Sequence, residues 1–105
     1  MTLPELAQKL KALGYPVAYS HFTSVQNPPF ICYIAWGSDT FNADNKPLVE
    51  MDNVDIELYT VNKDLIAEGK IKDLLKENEL PWSRDEIYLT DEEVFKCTYS
   101  ITLIN

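Results

Sequence analysis

Histidine is nearly missing from this 105-residue chain: His21 is the only one, and the two cysteines, Cys32 and Cys97, lie away from it and from each other. A structural zinc site needs about four Cys or His ligands at short spacing, so three scattered residues exclude one. Nucleophilic hydrolysis has only Ser20 beside His21 to draw on, and no G-x-S-x-G surrounds any serine. Glycine is also scarce. Gly14, Gly37 and Gly69 are far apart, which removes any glycine-rich loop that could cradle a phosphate. These absences point to a protein that is not an enzyme and uses no cofactor.

Long apolar runs are absent too. The longest, Phe30 to Trp36, falls well short of the ~20 residues that span a bilayer, and the N-terminus lacks the charged-then-apolar pattern of a signal peptide. Neither a membrane nor export is expected. Positive charge is in deficit: nine Lys plus Arg stand against seventeen Asp plus Glu, a formal balance of −8. Such a surface repels phosphate, so specific nucleic-acid binding is not expected. Both cysteines sit inside apolar strand-like runs, where a free thiol behaves as a small hydrophobe, and buried free thiols are the expectation.

What is present fits one globular domain over residues 1–105, with 46% apolar and 25% charged residues. Thr2, Pro4 and Glu5 form a capping box; Leu3, Leu6, Ala7, Leu10 and Leu13 share one helical face, and Gly14 supplies a left-handed stop. A strand follows over Pro16 to Phe22, closed by Asn27-Pro28-Pro29. Phe30 to Trp36 is apolar on both alternating faces, as in a central strand covered on each side. Leu48 to Thr60 resumes as a strand with Val54, Ile56 and Leu58 facing one way and Asp55, Glu57 and Tyr59 the other, and Asp52-Asn53 marks a bulge or second turn. Asn62 or Asp64 caps a second helix whose Ala67, Ile71, Leu74 and Leu75 share a face, with Glu68 pairing outward to Lys72. Trp82 to Leu89 and Val94 to Ile104 are the last strands, the latter with Phe95, Cys97, Tyr99, Ile101 and Leu103 inward. The order α-β-β-β-α-β-β gives an α+β fold: a mixed, largely antiparallel sheet of about five strands with two helices packed on it.

Between two strands lies a polar stretch, G-S-D-T-F-N-A-D-N-K-P, Gly37 to Pro47, read as a long loop. Hairpin connections usually run about two to five residues, and longer ones are usually functional. Asp39, Asn42, Asp44 and Asn45 offer oxygens to a cation, but Phe41 and Ala43 occupy would-be calcium-ligand positions. Trp36, Ser38, Asp39, Thr40, Phe41, Asn42, Asp44 and Asn45 are therefore the candidate subunit or partner interface, with Phe41 as the apolar anchor.

The run from Leu10 through Tyr59, with P-P-F-I-C-Y, G-S-D-T-F-N-A-D-N and I-E-L-Y-T, together with the closing F-K-C-T-Y-S-I-T-L, resembles the tail-terminator or tail-completion (head-tail joining) proteins of long-tailed phages and prophages of Gram-positive bacteria. The resemblance spans nearly the whole chain and rests on layout as much as on motif. It implies a structural virion-assembly protein that forms a ring, hexameric in that family, caps the tail tube and meets the head connector. The resemblance also implies a ring that lets DNA pass through without specific binding. It also implies a location in the host cytoplasm during assembly and then in the virion tail, or a gene carried by a prophage in a bacterial chromosome. On this reading Gly37 to Pro47 is mobile in the free subunit and orders on assembly. A head-completion or connector protein, and an acidic DNA mimic that inhibits a host protein, are the alternatives.

Overall fold

The computed structural model describes residues 1–44 and 46–104. Its elements are α1 (Leu3–Lys11), β1 (Val17–Tyr19), β2 (Phe30–Ala43), β3 (Lys46–Thr60), α2 (Leu65–Glu77), β4 (Ser83–Leu89) and β5 (Val94–Ile104). They form a five-stranded sheet in the order β1-β2-β3-β5-β4, with β1 parallel to β2 and every other pair antiparallel. The α+β class and the element order agree with the sequence reading.

Local chemistry explains the helix ends. Thr2 accepts from the Glu5 amide at 3.3 Å and Asp64 from the Ala67 amide at 3.0 Å, each satisfying a donor that the first turn leaves unpaired. Gly14 takes a φ of +97° just past α1, a conformation costly for any residue with a Cβ. Both helices lay their apolar faces on one side of the sheet. There Leu6, Leu10, Ile71 and Leu75 join Ile31, Val54, Ile56, Leu58, Tyr99 and Leu103 in one core. The opposite sheet face carries Asp55, Glu57, Lys96, Thr98, Ser100 and Thr102, in alternation with those core residues.

Several details differ from the sequence reading. The first strand is only Val17–Tyr19, because Ser20 turns the chain away with a φ of +66°. Phe30 to Trp36 is not covered on both faces throughout: Ile31 and Cys32 are buried, while Trp36 is 62% exposed. β3 runs unbroken through Asp52 and Asn53. The bulge lies opposite them on β2, where the register steps from Ala35↔Val54 to Gly37↔Asn53 and leaves Trp36 as the extra residue. Glu68 does not pair outward with Lys72. It lies between Ala67 and Ile71 at the margin of the buried face, 4% exposed, and bonds Arg84 and Lys63 instead.

The largest correction concerns Gly37 to Pro47. It is not a long loop but part of a β-hairpin, with β2 ending at Ala43 and β3 starting at Lys46. The ladder continues through Asp39↔Met51, Thr40↔Glu50, Phe41↔Val49 and Ala43↔Lys46, with a second register shift between Phe41 and Asn42. Asp44, in the connection, has a φ of +51°, a conformation that aspartate tolerates in tight turns. The segment reads as a loop because it lacks alternating hydrophobicity.

Candidate assembly interface

Among the described residues, β5 pairs with β3 as far as Met51↔Ile104, and β1 with β2 as far as Tyr19↔Tyr33. Beyond those points, residues 40–43 and 46–50 pair only with each other among the described residues, as a two-stranded arm at one end of a molecule 50 × 27 × 22 Å across. Among the described residues, the outer edge of β2 from Ile34 onward has no strand partner. Its one cover is the Tyr19 hydroxyl, which accepts from the Ala35 amide at 3.2 Å. An unpaired strand edge is a template for another chain, and a lone ribbon is marginally stable in water.

A row of polar side chains fixes the root of the arm on the open sheet face. Asp55 Oδ1 accepts from Trp36 Nε1 at 3.3 Å and from Ser100 Oγ at 2.8 Å. One step outward, Asn53 donates to Asp39 at 3.1 Å and accepts from Thr102 at 3.3 Å. Two cross-strand chains thus run from β2 through β3 to β5. The bulge at Trp36 makes the first of them, by turning the indole toward Asp55 while Ala35 still faces the core.

The predicted interface residues are accordingly spread along the arm. Trp36 is at its root, Ser38, Asp39 and Thr40 are exposed on its outgoing strand, and Phe41, 62% exposed, is near its tip. Asn42 pairs with Pro47 in the ladder, Asp44 is exposed in the turn, and Asn45 lies outside the described residues. Strung along an extended strand, Asp39 and Asp44 do not converge as a cation loop requires. Sequence reasoning missed Asn53, Asp55, Ser100 and Thr102. Their only signal was position on the polar side of β3 and β5.

Other constellations are occupied or incomplete. His21 Nδ1 lies 3.2 Å from Ser20 Oγ, and among the described residues no hydrogen bond joins the imidazole to a carboxylate that would orient it. Glu68, Glu86 and Cys97 bring donor atoms within 4.8 Å of one another, but cations already hold both carboxylates. Arg84 contacts Glu68 at 2.7 Å and Glu86 at 2.9 Å, and Lys63 contacts them at 2.8 and 2.6 Å. The Lys63 hydrogen bond holds the Glu86 carboxyl below its usual range, and bonds to Glu68 and Glu86 hold Lys63 above its own. This cluster ties the start of α2 to β4. No described helix is long and apolar enough to cross a membrane.

No protein-family model matches the chain, and no curated protein matches it in sequence.

Proposed function

We propose that this chain is a structural virion-assembly protein of the tail-terminator kind, which caps a phage tail tube and joins it to the head connector as a ring, hexameric as in the family it resembles. The observation that carries the reading is the projecting arm, which offers an exposed aromatic and an unpaired strand edge outside the folded core. A ring of identical subunits uses heterologous contacts, so each subunit must present two different surfaces. The arm is one. The opposite end of the molecule offers another apolar surface, where Val61, Leu65 and Ile66 are more than half exposed. The partners on this reading are further copies of the chain, the tail tube protein and the head connector. The acidic balance suits a ring through which DNA slides without sticking.

The DNA-mimic alternative draws less support, because it needs a continuous unpaired acidic stripe, whereas Glu68 and Glu86 pair with Lys63 and Arg84 and Glu57 lies 3.8 Å from Lys96. The test is complementation of a phage that lacks this gene. Wild-type chain restores joined tails of uniform length, and Phe41→Ala gives tubes of uncontrolled length or tails that fail to join heads. Normal infectious particles with no copy of the gene would refute the assembly role.

A further inference from the structure

We infer that Phe41 of one copy seats in an apolar cleft at the far end of the next copy. This rests on the ring reading above and names its contact. The cleft is lined by Val25, Pro28, Phe30, Tyr59, Leu89 and Val94, with a volume of about 430 Å³. It lies where the ends of β3 and β4, the start of β5 and the segment before β2 meet. Phe30 and Tyr59 stack at 4.8 Å between ring centroids and form an aromatic wall, while Val25 stands at the mouth, 97% exposed. Pockets that take organic groups measure about 300–1,000 Å³, so there is room for a phenyl ring.

Position identifies the occupant. Phe41 pairs with Val49, and Tyr59 lies ten residues further along the same strand, about 33 Å away at roughly 3.3 Å per residue. The arm cannot fold back to fill its own cleft. An exposed aromatic at one end of a strand and an aromatic-walled cleft at the other therefore make a head-to-tail pair between copies, and aromatic anchors in pockets dominate interface energetics. Like-with-like docking would bring knob against knob and leave both clefts open. A standard interface of ~800 Å² per partner uses about 20–30 residues a side; Asp39, Thr40, Phe41, Asp44 and Glu50 are exposed on the arm, and the outer edge of β2 extends the surface. Charge adds a signature. Asp39, Asp44 and Glu50 are exposed on the arm, and Glu92 lines the cleft beside exposed Asp91 and Glu93. Like charges repel across this contact, so added salt should strengthen it.

The test is disulfide trapping with two single variants, V49C and V25C; Val49 pairs with Phe41 across the arm, so a cysteine there sits beside the anchor and leaves it in place. The native Cys32 and Cys97 are buried. Under mild oxidation, an equimolar mixture should give a mixed dimer in at least tenfold excess over V49C–V49C and V25C–V25C dimers, with the yield rising between about 0.05 and 0.5 M salt as screening increases. Rings that form with no excess of the mixed dimer, or with yield falling in salt, would overturn this contact while leaving the ring reading standing. A wild-type chain that stays monomeric at millimolar concentration, with equal yields for all three pairings, would overturn both.

Discussion

Replacing Glu68 by glutamine keeps the side chain's shape and one acceptor oxygen but removes the charge that holds α2 to β4. The carboxylate is 4% exposed and accepts from Arg84 Nη2 at 2.7 Å and Lys63 Nζ at 3.0 Å. A net charge-assisted hydrogen bond contributes about 1.5–3 kcal/mol. The Arg84 bond lies toward the middle of that range, because the guanidinium keeps 29% of its exposure. Lys63 retains 44%, and solvent screening limits its share to about 0.5 kcal/mol. The expected loss is therefore about 2–3 kcal/mol, most of it through Arg84. Urea unfolding reads it directly: with m of about 1–2 kcal/mol/M the midpoint should fall by about 1–3 M at unchanged m. A double-mutant cycle should then show stronger coupling of Glu68 to Arg84 than to Lys63. A midpoint shift below about 0.3 M, where surface substitutions usually fall, or stronger coupling to Lys63, would refute the reasoning.

Acid should weaken the same cluster. The folded Glu86 pKa is lowered from 4.5, so its contribution is complete above that value and is lost as pH falls through the lowered one; Glu86→Gln should flatten this acid limb in urea titrations across pH 2–6. Cys32 and Cys97 are buried, and burial followed by the Glu57 charge raises the Cys32 thiol further, so the native protein should react with thiol reagents far more slowly than the urea-unfolded chain. Equal rates would show that the strands carrying them open easily. Asp55→Ala removes the acceptor shared by Trp36 and Ser100 and should raise amide exchange at the arm root while lowering global stability by about 1–2 kcal/mol; unchanged exchange there would show that the bulge alone sets the arm's direction.

The core was legible because its patterns are strong. The alternation from Val54 to Leu58 and from Phe95 to Leu103 placed two adjacent strands correctly; Thr2 placed the first helix start, and the second falls at Asp64, one of the two caps read beside Asn62. Sheet order was less accessible, since the pairing of β3 with β5 is a non-local choice that local periodicity does not encode. The arm was misread because its sequence lacks alternating hydrophobicity, and its described residues Asp39, Thr40, Phe41 and Asp44 are exposed. Glu68 was misread for the opposite reason. An i,i+4 partner was available in Lys72, but the helix turns that position toward β4, where Arg84 offers a stronger one. The cleft left no sequence signal, as it is assembled from four separate segments.

Sedimentation velocity of the purified chain and its Phe41→Ala variant at matched concentrations tests most directly whether the arm drives self-assembly. Phe41 is 62% exposed, so its removal should cost the monomer no more than about 1 kcal/mol of the ~1.5–3 kcal/mol that full burial provides. The account predicts a discrete species of ring mass for the wild type and a collapse to monomer for Phe41→Ala, with the urea midpoint nearly unchanged. Identical mass distributions for the two proteins, at concentrations where the wild type assembles, would contradict it.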